Sequence, residues 1–546
     1  MRLSRIDYKW LVAIAFVAGM FMDIMDTTIV NVALPTLGQT FDVGDGTFEW
    51  VVTGYLLSLA IWIPASGWIG DHFGTKKTFL FALLVFTVGS ALCGAAWSIR
   101  SLIAFRLLQG VGGGMLTPVG TSMLFRAFPP SERARASAVL TVPTAIAPAL
   151  GPVLGGWLVD HASWRWIFYV NVPVGIAAFV FAWLFLREHT EPGTGRFDFA
   201  GFVCSGAGLA LVLYALSEGP TYGWTSPRVL ATGIVGILLL ILLVKIELGR
   251  RNPLLHLRLF RDRMFRYGIL SMFTAFSVLF GVLFLLPLFL QQLRGLSAFD
   301  AGLTTFPQAI GMVLMVQVSS RLYPYLGPRR MLAIGLAGLC LTSALFLLVD
   351  LNTSLWYIRG IMFLRGVVMS FALVASQTAT FSSINSEETG RASALFNTNR
   401  QVAASVGVAV LTTVLTQATL TLGGTSASTA TQVFGFHDAL FASIVFGVVG
   451  ILFALRIHDE DAAATLQRQL RFSRERRAIC SFETTQSYEI AHRRCASGQS
   501  RYTSWIPFAV NVSPLGSRQL DARAPAGNAS REGRPALCCR AAIPPL

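Results

Sequence analysis

The sequence predicts an all-α integral membrane protein with fourteen transmembrane helices. Only 13% of its 546 residues are charged and 54% are hydrophobic, whereas soluble domains average about 25% charged residues. Segments such as "LFALLVFTVGSALCGAAW" and "ATGIVGILLLILLV" hold few or no charges and approach the length needed to cross a bilayer. Lysine and arginine gather in alternate connections between such segments, as expected for a chain that crosses a membrane repeatedly.

Hydropathy defines the fourteen predicted helices. They are 9–31, 48–70, 78–98, 101–124, 136–158, 165–187, 198–217, 228–248, 266–290, 299–322, 330–350, 355–381, 392–415 and 436–457. No small-residue cleavage site follows the first segment, so we expect a retained helix and not a signal peptide. The more basic set of connections also contains both termini. This predicts a multi-pass protein of the cell membrane with cytoplasmic termini.

Net charge and cysteine usage exclude other classes of protein. The formal charge is +15, but the basic residues are scattered through loops and a basic tail, so we expect no nucleic-acid partner. Three of the seven cysteines stand singly in apolar helices and the other four lack paired spacing. We therefore predict no metal site and no structural disulfide.

An internal repeat predicts two parallel halves. "ERARASA" at residues 132–138 recurs as "ETGRASA" at 388–394, and "FGTKK" at 73–77 recurs more loosely as "LGPRR" at 326–330. A shift of eight helices between copies implies two six-helix bundles with two helices inserted between them, a transporter architecture with the substrate path between the halves. The predicted parts are 1–190 (first bundle), 191–262 (inserted helices), 263–458 (second bundle) and 459–546 (tail).

Charged side chains within the first half are the strongest functional signal. Asp26 lies midway along helix 1, and Asp23 lies one turn earlier. Burying a carboxylate at membrane depth costs free energy unless it is paired with a cation, protonated or in contact with water. We interpret Asp26 as a proton carrier, with Arg106 of helix 4 as its fixed cationic partner. Asp23 is interpreted as less committed to the cavity. A structural acid and a helix-packing ion pair remain the alternatives.

Five motifs then carry a family resemblance over residues 8–457. They are "MDTTIVNVALP", "GWIGDHFGTKK", "LIAFRLLQGVGGG", "GPVLGGW" and "WRWIFYVNVPVG". Because these motifs occur in this order and the chain has fourteen predicted helices, it resembles the fourteen-span drug:proton antiporters of the major facilitator superfamily, the Emr/Qac type. The resemblance implies proton coupling through Arg106 and export by alternating access.

The resemblance also assigns two mechanical elements. The loop between helices 2 and 3 would be a cytoplasmic latch formed by Gly67, Asp71, Gly74, Lys76 and Lys77, although the two lysines also fit simple positive-inside residues. Pro324 stands where the second copy would repeat Asp71, so we expect a one-sided latch.

Helix 5 combines prolines with closely spaced glycines. Small residues allow helices to approach and proline bends a helix. We predict a kinked, tightly packed hinge, with a packing face that has no gating role as the alternative. The residues are Pro148, Gly151, Pro152, Gly155 and Gly156.

The second half offers cations and amides in place of acids. Its predicted helices contain no midspan Asp or Glu, which favours neutral, amphipathic or weakly acidic lipophiles over dications as substrates. Further candidates for the cavity are Asp23, Asn31, Gln109, Arg365 and Arg400.

These observations predict an exporter that uses the proton gradient and no cofactor. No phosphate-binding loop for ATP and no clustered catalytic groups occur, so we do not expect an enzyme. The expected partners are a small-molecule substrate, protons and the lipid bilayer, and a membrane-fusion adaptor is left open. The alternatives are a proton-coupled importer and a receptor or anchor that does not transport. The tail composition is typical of disorder, or of an altered reading frame.

Overall fold

The structure is a computed structural model, and it describes residues 7–42, 50–191, 195–250, 253–423 and 429–465. Every regular element in these ranges is helical, which confirms the predicted all-α class. Thirteen of the described helices are long and apolar enough to cross a membrane.

We number these thirteen helices in chain order. They are α1 (Tyr8–Phe41), α2 (Trp50–Phe73), α3 (Thr75–Gly94), α4 (Ile99–Ala127), α5 (Arg133–His161), α6 (Asn171–Phe185), α7 (Phe199–Tyr222), α8 (Pro227–Gly249), α9 (Arg263–Leu288), α10 (Pro307–Phe346), α11 (Leu355–Ser382), α12 (Thr389–Gly423) and α13 (Thr429–Leu455). The shorter helical segments in the described ranges are Pro130–Glu132, Trp166–Tyr169, Leu257–Arg261, Phe289–Leu293, Ala298–Thr305, Ser386–Glu388 and Asp459–Thr465.

The predicted helices 299–322 and 330–350 are the two arms of α10. Gly327 interrupts this element with φ 79° and ψ 164°, a conformation open essentially to glycine alone. Along α11, Ser319 of the first arm bonds Ser370, while Ser343 of the second arm bonds Arg365. Gly311 packs at Phe363 and Gly338 at Val368, so the two arms run in opposite directions along α11. Counted with the two arms of α10 taken separately, the described residues contain fourteen membrane-length segments.

Packing follows the repeat found in the sequence. Helices α1 to α6 pack mainly among themselves, as do α9 to α13. Across the junction, α5 packs against α10 and α11, and α12 packs against α2 and α4. The repeated serine forms a hydrogen bond across the junction in both copies: Ser137 accepts one from the Thr378 hydroxyl, and Ser393 donates one to the carbonyl of Pro118. The bundle boundaries themselves remain predictions.

The two inserted helices lie beside this junction. Helix α8 packs mainly against α7, and α7 also packs against α2 and α12. Gly206 of α7 sits against Ile61, and the indole nitrogen of Trp224 donates to Thr413 Oγ1 at 3.0 Å. The inserted pair thus contacts both halves.

The end of the chain is described as far as residue 465. Asp459–Thr465, the first residues of the predicted tail, form a short 3-10 helix, and Asp459 accepts a hydrogen bond from the backbone of Arg329. The rest of the predicted tail, including four of the cysteines, lies outside the described residues.

Candidate functional site

Asp26 and Arg106 meet in an ion pair inside the first six helices. Both side chains are fully buried, and Arg106 Nη1 donates to Asp26 Oδ2. This is the pair expected from helices 1 and 4. Breaking such a buried pair by removing one partner typically costs about 3–5 kcal/mol, because a charge is left alone in a low-dielectric interior.

Neighbouring amides complete the hydrogen bonding of the pair. Gln109 Nε2 and Asn171 Nδ2 each donate to Asp26 Oδ1 at 3.0 Å. Arg106 Nη1 also donates to Gln109 Oε1 at 2.9 Å, and its Nε donates to the carbonyl of Val51 at 3.0 Å. Three donors therefore converge on one carboxylate. Gln109 was predicted to line the cavity, but its side chain bonds the Asp26–Arg106 ion pair instead.

Tyr55 joins this ion pair to Asp23. The guanidinium of Arg106 lies 4.0 Å from the centre of the Tyr55 ring, a cation–π contact. The Tyr55 hydroxyl donates to Asp23 Oδ1 at 2.8 Å, and Thr117 donates to Asp23 Oδ2 at 2.7 Å. A side chain at Gly113 would collide with the Tyr55 hydroxyl, so the glycine-rich stretch of α4 makes room for this bridge.

A cavity of about 430 Å³ lies between the two halves. It is lined by residues of α1, α2, α4, α5, α7, α9 and α12. Asp23, Asn31 and Arg400 line it, but Asp26, Arg106 and Arg365 do not. The interpretation of Asp23 as the acid less committed to the cavity is therefore wrong, because the side of α1 that bears Asp23 faces the cavity while Asp26 points into the first half.

Arg365 occupies the interior of the second half. It is buried, and it donates to the hydroxyls of Thr342 and Ser343 and to the carbonyl of Val278. No carboxylate in the described ranges forms an ion pair with it. The second half thus holds a buried cation without the acid that accompanies Arg106.

One end of the cavity is closed by contacts between the halves. We call the face that holds the α2–α3, α4–α5 and α11–α12 connections the basic face. There, Arg133 donates to the carbonyls of Phe381, Ser382 and Ile384. The ring of Phe125 stacks on Phe381 with 4.0 Å between centroids. On α1, α2 and α7, the cavity-lining residues lie in the part remote from this face.

Arg126 connects the predicted latch to the same closure. It bonds Asp71 at 2.8 Å and Glu191 at 3.4 Å, and its Nε donates to the carbonyl of Ser386 in the second half. Gly67 and Asp71 both lie against Gly390 of α12. These two latch residues are therefore at the junction of the halves.

The other three latch residues contact only the first half. Gly74 has φ 106°, and the Glu188 carboxylate sits over it and accepts hydrogen bonds from the backbone nitrogens of Lys76 and Lys77. The ammonium of Lys76 donates to the carbonyl of Trp183 at 2.7 Å. This part of the loop caps α3 and α6 and does not reach across the junction.

Helix 5 packs tightly against helix 1, as its glycines predict. Gly151 touches Thr28 and Gly155 touches Ile29, with no space for a side chain at either position. Pro148 is buried, Gly156 is half-buried, and the side chain of Pro152 lies outside the described residues. Helix α5 is continuous from Arg133 to His161, so the predicted kink is not seen as a break.

Sequence reasoning missed several residues that complete the site. Asn171 lies in a quoted motif, yet 145 residues separate it from Asp26 and nothing local marks the contact. Tyr55 and Thr117 had no signal beyond being polar groups in apolar helices. Arg126 and Arg133 were counted only as positive-inside residues, although each crosses the junction of the halves.

Comparisons with known proteins agree on one family description. The model of the Major Facilitator Superfamily matches residues 16–408. A protein named "Uncharacterized MFS-type transporter YhcA" from Bacillus subtilis (strain 168) is 33% identical over 411 residues, which are 74% of this chain and 76% of that protein. "Putative multidrug resistance protein MdtD" from Salmonella heidelberg (strain SL476) is 33% identical over 466 residues, 85% of this chain and 97% of that protein.

A solved structure supports the same fold. The human organic anion transporter MFSD10 (TETRAN) superposes with a TM-score of 0.57, covering 82% of this chain and 99% of that chain. At 15% sequence identity, this likeness concerns the fold alone.

Proposed function

Because the chain belongs to the major facilitator superfamily, we propose that it is a proton-coupled exporter of lipophilic or amphipathic small molecules. It would work by alternating access, exchanging protons for substrate across the cell membrane. The names of the multidrug-resistance relatives support the export of varied compounds. The distribution of lysine and arginine supports a cytoplasmic basic face and cytoplasmic termini.

The observation that carries this proposal is the connection from the cavity to the buried ion pair. Asp23 lines the cavity, Tyr55 bonds Asp23 and covers Arg106, and Arg106 holds Asp26. An embedded acid beside a fixed cation is a means of binding and releasing protons, since the stability of its charged form changes with the separation of the two groups.

We assign the residues these roles in the transport cycle. Asp26 carries the coupled proton, and Arg106 holds its ionised form in the state described here, where the basic face is closed. Asp23 is the first acid that a proton reaches from the cavity, because Tyr55 and the packed helices separate Asp26 from it. Protonation of Asp26 would release Arg106 from its strongest partner and so weaken the packing between α1 and α4.

Opening of the basic face would complete the cycle. The Arg126 and Arg133 contacts would break, while the ends of α1, α2 and α7 remote from this face would close over the cavity. The substrate then binds from the cytoplasm after the proton has left. An importer would use the same geometry, so the direction of transport rests on the relatives and on the helix 5 motif.

The test uses inverted membrane vesicles that contain the intact chain. Uptake of a lipophilic dye into the vesicles should depend on an imposed proton gradient, collapse with a protonophore and persist without ATP. Vesicles with Asp26→Asn protein serve as the control. Transport that continues with a protonophore would contradict proton coupling.

A further inference from the structure

The central cavity holds one charge from each half. Among its lining residues, Asp23 of α1 and Arg400 of α12 are charged, and the remainder are apolar or neutral polar. Asp23 already accepts hydrogen bonds from Tyr55 and Thr117, one on each carboxylate oxygen. The guanidinium of Arg400 interacts electrostatically with Asp23, but within the described ranges it donates no hydrogen bond and forms no ion pair at contact distance.

A guanidinium without an acceptor defines the kind of ligand group that suits this cavity. Arginine offers up to five N–H donors in a planar fork that matches a carboxylate or a similar anion, and it keeps its charge. The amide side chains of Asn397 and Gln401 line the cavity near it in sequence, and Phe280 and Phe284 contribute apolar wall. The volume of about 430 Å³ falls within the range of small-molecule sites.

We propose that this cavity binds lipophilic organic anions, with the anionic group on Arg400 and the apolar body against the wall that includes Phe280 and Phe284. This substrate class rests on the proposed export function and narrows it. The anion supplies the hydrogen-bond acceptors that the Arg400 guanidinium lacks among the described residues, where Asp23 is its through-space counter-charge.

A lipophilic cation fits the same cavity less well. Its charge would have to use Asp23, whose two oxygens are already engaged by Tyr55 and Thr117. It would also be repelled by the Arg400 guanidinium, whose N–H donors stay without an acceptor when the ligand is a cation.

Binding by the full-length purified protein in lipid nanodiscs tests the proposal, with no proton gradient present. Three probes share one aromatic body: 1-pyrenebutyrate, the neutral 1-pyrenebutyramide and the cationic 1-pyrenebutylammonium. Tryptophan-to-pyrene energy transfer reports the dissociation constant of each. We expect the carboxylate to bind about tenfold more tightly than the amide, since charge-assisted pairing adds affinity of this order. The ammonium should bind most weakly.

Matched variants then test whether Arg400 is the residue that causes the preference for the carboxylate probe. Arg400→Gln should weaken carboxylate binding about tenfold and leave amide binding unchanged. Arg400→Lys should retain a smaller preference for the carboxylate. Arg100→Gln, which removes the same charge from an exposed position, should change nothing.

Two results would overturn this assignment. One is a wild-type protein that binds the amide or the ammonium as tightly as the carboxylate, which needs no variant to measure. The other is an Arg400→Gln protein that is monodisperse and keeps the full preference. Because binding is measured without a gradient, either result leaves proton-coupled export standing. Conversely, an anion preference without proton-driven transport would overturn the proposed function alone.

Discussion

At the residue scale, two aspartates three positions apart have different surroundings. Asp26 is enclosed by Arg106, Gln109 and Asn171, whereas Asp23 borders the cavity and is held by two hydroxyl groups. Residues three apart lie on neighbouring faces of one helix. A single turn of α1 therefore places one acid toward the cavity and the other toward the interior of the first half.

Replacing Asp26 by asparagine should abolish proton coupling. The amide cannot titrate, and it leaves Arg106 without a counter-charge at a cost of about 3–5 kcal/mol in stability. We expect a lower unfolding temperature and no substrate-induced proton release from the detergent-solubilised protein, measured beside a binding titration that verifies a folded cavity. Proton release that persists in a protein that binds normally would remove Asp26 from the mechanism.

Replacing Asp23 by asparagine should act on binding more than on coupling. The cavity loses its negative charge, while one of the two hydroxyls can still donate to the amide oxygen and the other can accept from the amide nitrogen. An anionic probe should therefore bind several-fold more tightly and a cationic one more weakly, because the Coulomb interaction with Asp23 is lost. Dissociation constants measured with a matched anion and cation decide this. Unchanged affinity for both would mean that the Asp23 charge is not felt by the ligand.

At the element scale, the break at Gly327 lets one continuous element form two antiparallel arms. Its φ of 79° and ψ of 164° suit glycine, and a Cβ there would lie 2.7 Å from Asp459 Oδ1. Without this break, a straight helix of 40 residues would be about 60 Å long, roughly twice the apolar thickness of a bilayer. The turn is thus what allows both arms to pack along α11.

Replacing Gly327 by alanine should destabilise this turn. The backbone conformation costs about 1–3 kcal/mol for a residue with a side chain, and the new methyl group meets Asp459. We expect a lower unfolding temperature in detergent. Gly360→Ala is the matched control, because Gly360 lies within α11 with nothing within 4 Å of an added Cβ. There, alanine should be neutral or stabilising, and equal effects at the two sites would contradict the argument.

At the scale of the whole molecule, the closed basic face depends on a few arginines that cross between the halves. Arg133 alone donates to three carbonyls at the end of α11. In the proposed alternating-access cycle these contacts exist in one state and break in the other, so they would bias the equilibrium between the two without touching the cavity.

Replacing Arg133 by alanine should shift this equilibrium toward an open basic face. Each charge-assisted hydrogen bond is worth about 1.5–3 kcal/mol, so loss of the three from Arg133 should change the ratio of states by tenfold or more. A Thr27→Cys reporter in a cysteine-free background would measure it through labelling by an impermeant maleimide. Labelling from the side opposite the basic face should slow. Arg135→Ala, which removes a largely exposed arginine from the same turn, should leave the rate unchanged.

Sequence reasoning succeeded where the signal is local and failed where it depends on packing. Hydropathy located both arms of α10, and the embedded charges of α1 and α4 were recognisable because apolar helices rarely hold them. The orientation of Asp23 could not be read from α1, since it depends on where the second half sits. Asn171 and Arg133 could not be identified for the same reason: their partners are 145 and about 250 residues away.

The inserted helices have a consequence for the sides that the molecule presents to the lipid. The two halves are related by a repeat, so the junction has two flanks that are alike in origin. One flank, between α2 and α12, is occupied by α7, with Gly206 against Ile61 and Trp224 bonded to Thr413. The other, between α5 and α10, has no inserted helix among the described residues beside it. The inserted pair therefore covers one flank of the junction and leaves the other to α5, α10 and the short helix Ala298–Thr305, so a fold built from a duplicated unit presents two unlike sides to the lipid.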